Sequence, residues 1–144
     1  MTPVLDFSPL LEGICQRHGY PIVGEADLDA VLADTPLALL FFCGDHRRLA
    51  ESNDVAVVLP ELDKALAGHA RVLVCAREDE RALQRRFRFT AFPALVFLRE
   101  GRYLGAIEGI RDWSDYLVEI PEILGREPSD PPAYKLPAGC GESR

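Results

Sequence analysis

Residues 87–109 read FRFTAFPALVFLREGRYLGAIEG, and this stretch decides the fold. Two apolar runs, residues 94–98 and 103–107, flank the polar turn Arg99-Glu100-Gly101-Arg102. That is the pattern of a β-hairpin, with a glycine supplied for the positive-φ position. Pro93 opens the first run and Gly109 closes the second.

Working outward, residues 78–87 predict a helix. Glu78, Asp79 and Glu80 stand at its start and Arg85 and Arg86 at its end, which complements the helix dipole. Downstream, Asp112 is placed to cap a helix whose Trp113, Tyr116, Leu117, Ile120 and Leu124 are expected to face inward, with Pro121 bending it. Upstream lie LALLFFC (37–43) and RVLVCA (71–76), apolar runs without alternation. Such runs read as central strands covered on both faces.

Between those strands, ESNDVAVVLPEL (51–62) passes from polar residues into a helix with Pro60 inside it. Its stripe is Val55, Val58, Leu59, Leu62 and Leu66, and Gly68 stops it. At the N-terminal side, Ser8 and Pro9 form an N-cap and first helical position, and that helix ends near Gly19. Residues 20–23 predict a short edge strand and residues 27–33 another helix, broken by Asp34-Thr35-Pro36. Strands alternating with helices imply parallel pairing, and the late hairpin adds an antiparallel edge. A mixed sheet with helices on both faces follows.

The chain has 144 residues, 48% hydrophobic and 27% charged, which suits one globular domain. We place that domain at residues 1–125. The remainder, 126–144, is proline-rich with few apolar anchors and is expected to be a flexible C-terminal tail. A net charge of −7, from 23 acids against 16 bases, disfavours nucleic acid and suits a basic partner. The N-terminus carries Asp6 and Glu12 and no basic segment, so it does not read as a signal peptide. The longest apolar run, residues 37–43, is far too short to insert in a membrane, and a cytoplasmic location is expected.

The residues offer little for catalysis. Cys15, Cys43, Cys75 and Cys140 form no CxxC, and His18, His46 and His69 are equally scattered, so neither a disulfide, a metal site nor a cofactor is expected. Cys43 precedes Gly44-Asp45-His46, where Asp45 would raise the thiol pKa; it reads as a small buried hydrophobe at a strand end. Trp113 reads as core, and the pairs Arg47-Arg48 and Arg85-Arg86 as solvated faces.

The element order together with Pro93, Gly101 and Gly109 resembles the thioredoxin fold, a three-layer α/β/α sandwich around a central mixed sheet. In that fold a cis-proline opens the hairpin and glycines mark its turn and exit. The resemblance implies a cis peptide at Pro93, which lets Phe92 bend into the strand while exposing its backbone. Pro60 takes the place of the proline inside the active-site helix. The redox pair would then fall at Ser52 and Val55, so both sulfurs are missing, and Leu40 replaces the buried acid. The segment between Gly44 and Glu51 is longer than the usual loop.

More narrowly, NDVAVVLPEL and FPALVFLREGRYLGAIEGIRDW resemble the HyaE/HupG/HoxO family of hydrogenase expression proteins. The similarity covers roughly residues 8–125. It implies a non-catalytic chaperone for [NiFe]-hydrogenase maturation that binds the twin-arginine signal peptide of the small-subunit precursor before export. Other hydrogenase accessory proteins are further implied partners. The family supplies no catalytic residues to carry over.

Strand addition at the cis-proline would give such a protein its peptide site. Ala91, Phe92 and Pro93 would form the lip, with Ser52, Asn53 and Asp54 beside it in place of the cysteines. Asp45, Glu51 and Asp54 would attract arginines, while Phe92 meets the apolar run. Asn53 and Asp54 also suit a plain helix cap. Two other readings stay open: a monothiol redox enzyme using Cys43, and a general peptide-binding adaptor domain.

Overall fold

A computed structural model describes residues 7–132. In chain order the elements are α1 (Pro9–His18), β1 (Ile22–Val23), α2 (Leu28–Ala33), β2 (Leu37–Phe42), α3 (Ala50–Ala65), β3 (Arg71–Cys75), α4 (Glu80–Phe87), β4 (Ala94–Arg99), β5 (Arg102–Glu108) and α5 (Trp113–Leu124). A 3-10 turn at Arg77–Asp79 leads into α4.

The five strands form one sheet in the order β1-β3-β2-β4-β5. β1, β3 and β2 run parallel, and β4 and β5 are antiparallel. The unalternating runs follow from this placement. In β2, Leu39 and Phe41 enter the core beneath α1, α3 and α5, while Ala38, Leu40 and Phe42 enter the core beneath α2 and α4. β4 divides likewise, with Leu95 and Phe97 on the first face and Ala94, Val96 and Leu98 on the second. Both faces of each strand are apolar because both are covered.

Local chemistry sets the boundaries. The Ser8 hydroxyl accepts from Leu11 N–H at 3.1 Å, Pro9 occupies the first helical position, and Gly19 ends α1 with φ +69°. The hairpin turns on Glu100 and Gly101, with φ +52° and +78°, two consecutive left-handed residues that match the twist of the strands. α3 ends on Ala67 and Gly68, with φ +53° and +78°.

α5 corrects the sequence reading. Tyr116, Ile120 and Ile123 are its buried residues, whereas Trp113 is 43% and Leu117 52% exposed. The inward arc is rotated by part of a turn, because Ile123 packs over Gly105 of β5 and fixes which side of the helix meets the sheet. Leu124 is half-buried against the core.

The first residues past α5 lie along β5. Ser129 N–H donates to Tyr103 O at 3.0 Å and Arg126 Nη1 to Leu104 O at 3.3 Å. Arg88 Nη1 donates to Pro131 O at 3.2 Å. Residues 133–144, including Cys140, fall outside the described residues. No described helix is long and apolar enough to cross a membrane.

Candidate functional site

The carboxyl ends of β2 and β3 and the amino end of β4 meet at one edge of the sheet. The register pairs Phe42 with Ala94, so the residues after β2 and those before β4 are neighbours. Ligands of open α/β sheets bind outside such strand ends.

The Phe92–Pro93 peptide at this edge is cis. The Pro93 carbonyl accepts from Gly109 N–H at 2.7 Å, which ties the start of the hairpin to its exit. Thr90 is tied to the same exit, its N–H and hydroxyl each reaching a Glu108 carboxylate oxygen at 2.9 Å. Between these anchors Ala91 is exposed and Phe92 half-buried. Among the described residues, no backbone group of Ala91 or Phe92 has a hydrogen-bond partner. Residues 91–93 form a bend ahead of β4, and the open donors and acceptors of Ala91 and Phe92 are available to pair with an added strand.

Phe92 is held on three sides. Its ring meets Phe89 edge-on with centroids 5.2 Å apart, and the Arg81 guanidinium lies 5.3 Å from its centroid. Its Cβ packs against Gly44, where an added Cβ would stand only 2.7 Å away. Gly44 has φ +73°, and its N–H donates to Glu80 Oε2 at 3.2 Å.

Glu80 was legible in the sequence only as a helix-start charge, yet its residue is 1% exposed. Arg77 Nη1 donates to its other oxygen. Burial pushes the Glu80 carboxyl above the usual range, against the pull of the Gly44 N–H and the Arg77 guanidinium. Cys43 lies beside it, 1% exposed. Burial raises the Cys43 thiol first and the Glu80 charge second, with Arg77 opposing. The neighbouring acid that matters is therefore Glu80 and not Asp45. The Asp45 carboxylate accepts from Arg47 N–H at 3.0 Å, and this bond holds it below its ordinary range.

The residues from the 51–62 segment are dispersed. The sequence places Ser52 on the rim of the lip; the structure buries it at 2% exposure. The reason is that α3 starts at Ala50, after Leu49, so Ser52 already lies in the first helical turn and faces the core. Nor do Asn53 and Asp54 cap this helix, because they stand inside it. Asn53 turns toward α1, its Oδ1 accepting from the Ser8 hydroxyl at 2.6 Å. Asp54 is exposed on the helix surface. The residues that do adjoin the lip are Gly44 and Leu49, whose Cδ1 would lie 2.8 Å from a Cβ at Gly44, together with Glu51. Glu51 Oε1 reaches 3.5 Å from the Cβ position of Gly109.

A second groove, of about 460 Å³, lies at the far end of the hairpin, lined by Phe87, Gly101, Tyr103, Ser129 and Pro131. Its charged walls are Arg86, Arg102 and Asp130. Among the described residues no group of three His, Cys, Asp or Glu side chains is placed to hold a metal ion.

Known proteins resemble this chain in sequence and in fold. The HoxO hydrogenase expression/formation protein of Azotobacter vinelandii is 44% identical over 135 residues, 94% of this chain and 89% of its own. The crystal structure of a HupG protein from Rhodopseudomonas palustris superposes with a TM-score of 0.53 at 41% identity, covering 72% of this chain and 94% of that one. Mitochondrial thioredoxin 3 of Saccharomyces cerevisiae superposes with a TM-score of 0.60 at 13% identity, over 72% of this chain and 96% of its own. That likeness shows the fold alone: a thioredoxin-like α/β domain. The family model for hydrogenase-1 expression protein HyaE matches residues 10–116, and the chain belongs to that family of hydrogenase expression proteins.

Proposed function

We propose that this protein is a non-catalytic chaperone in [NiFe]-hydrogenase maturation, which holds the twin-arginine signal peptide of the small-subunit precursor in the cytoplasm before export. The observation that carries this reading is the open backbone of Ala91 and Phe92 beside Pro93, anchored at both ends and free between them among the described residues. An extended peptide would add a strand there, and its apolar side chains would meet the exposed part of Phe92.

Charge supports a basic ligand from one side. Arg81 occupies the α4 side of Phe92, so arginines of a peptide would be drawn to Glu51, whose carboxylate lies beside Gly109, and to Asp45, next to Gly44. Ser52 and Asn53 take no part in this version of the site. Binding is by equilibrium contact, with no covalent step, because the positions of the thioredoxin sulfurs hold Ser52 and Val55.

The test is a titration of the small-subunit precursor and of its leaderless form against the full chain. The precursor is expected to bind and the leaderless form to bind at least about tenfold more weakly, with Phe92→Ala weakening the precursor by a similar factor. Equal, poor retention of both forms would remove the signal peptide from the reading.

A further inference from the structure

Six large hydrophobic residues among those described are well exposed, and three of them, Trp113, Leu117 and Val118, lie on the single helix α5. Their exposures are 43%, 52% and 71%. Scattered apolar residues such as Leu10 and Val57 need no explanation, but three within six positions of one helix form a stripe. Helical spacing sets Trp113 and Leu117 one turn apart, continues them with the exposed Pro121, and puts Val118 at the centre of the outer face.

Acids border this stripe. Asp115 and Glu122 follow Val118 around the helix; Glu122 is paired with Arg126 at 2.7 Å, and Asp115 has no ion-pair partner among the described residues. The edge of α5 carrying Ile123 and Arg126 lies along β5, which turns the Trp113 edge toward α3. The α3 flank on that side bears Glu51, whose Oε1 lies 3.5 Å from the Cβ position of Gly109 just ahead of α5, and one turn on it bears Asp54.

We propose that the outer face of α5 docks a helical segment of another protein, apolar on one side and bordered by lysine or arginine. Ridges of such a helix would pack on Leu117 and Val118, and its cations would meet Asp115 and Asp54. A second copy of this chain fits worse, since α5 itself bears no lysine or arginine to meet Asp115. An anionic membrane surface would be repelled by the same acids. This surface is separate from the lip around Phe92 and does not rest on it.

Trp113 is the chain's only tryptophan, so its emission reports on this face. The probes are two synthetic peptides of about 15 residues, long enough to form a helix on a surface. One has leucines on one face bordered by lysines, and the other has glutamates in place of the lysines. The lysine peptide should shift Trp113 emission to the blue and protect it from acrylamide, and the glutamate peptide should not. Leu117→Ser and Val118→Ser, both at exposed positions, should weaken the response about tenfold or more with an unchanged circular dichroism spectrum. Equal responses to both peptides would overturn the proposal. So would a blue shift produced by raising the protein concentration alone or by adding phosphatidylserine vesicles. A labelled peptide that binds while Trp113 emission stays fixed is bound elsewhere. That result also defeats the α5 proposal and leaves the lip reading standing.

Discussion

Gly44 and Phe92 approach so closely that no side chain fits between them: a Cβ on Gly44 would stand 2.7 Å from the Phe92 Cβ and 2.8 Å from Leu49 Cδ1. Gly44 also holds φ at +73°, a conformation that side chains disfavour. This glycine joins the loop after β2 to the lip before β4.

Gly44→Ala should therefore destabilise the protein by roughly 1–3 kcal/mol, through overpacking and backbone strain together. Urea denaturation checks it. Because Phe92 must move to make room, the same variant should also weaken peptide binding. Full stability with normal binding would mean that the contact does not fix the lip.

Glu80 gives a pH dependence with a definite sign. Its carboxyl titrates in the unfolded chain near 4.5 and higher in the folded one, mainly because burial penalises the anion. Between the two values the folded chain holds a proton that the unfolded chain has lost. The contribution of Glu80 is therefore fully present below about pH 4.5 and is lost as pH rises through the folded value. Relative to Glu80→Gln, the native protein should lose stability over that window, by at most about 1.4 kcal/mol per pH unit. Parallel stability curves for the two proteins would show that Glu80 titrates normally.

Thiol titration tests the competing monothiol reading directly. Cys15, Cys43 and Cys75 are buried, and burial raises all three thiols, Cys15 to about 11. None should react quickly with a disulfide reagent at pH 8 in the native protein, and all should react in denaturant. Cys43→Ser should leave peptide binding unaltered. A fast native reaction assigned to Cys43 would instead favour redox chemistry.

What the sequence made legible tracks how local the deciding interaction is. The hairpin could be read because its turn and its two apolar runs are contiguous, and β2 and β3 because a strand covered on both faces is apolar at every position. The inner face of α5 could not be read, since Trp113, Leu117 and Val118 are as apolar as Ile120 and Ile123. Only the docking of Ile123 on Gly105 decides which arc turns inward. Glu80 was hidden for a similar reason: an acid at a helix start with a local Arg77 beside it is ordinary until Gly44, brought in by the fold, closes over it. Ser52 was misplaced because α3 begins on Ala50 behind Leu49, which has no capping side chain to mark the start.

Ser8 and Asn53 offer the clearest separation of structure from binding. The Ser8 hydroxyl accepts from Leu11 N–H at 3.1 Å and donates to Asn53 Oδ1 at 2.6 Å, so one side chain both caps α1 and fastens it to α3. Ser8→Ala loses the cap and leaves the Asn53 acceptor without its donor, at a cost of about 1–2 kcal/mol. Asn53→Ala loses only the fastening and should cost less, about 0.5–1.5 kcal/mol. Because the two residues share one bond, the double variant should cost less than the sum of the two single variants. Peptide affinity, measured on the folded fraction, should be unchanged in all three, because Asn53 faces α1 and not Phe92. If Asn53→Ala instead weakens the peptide while sparing stability, the side chain works at the rim of the lip, and its bond to Ser8 is incidental.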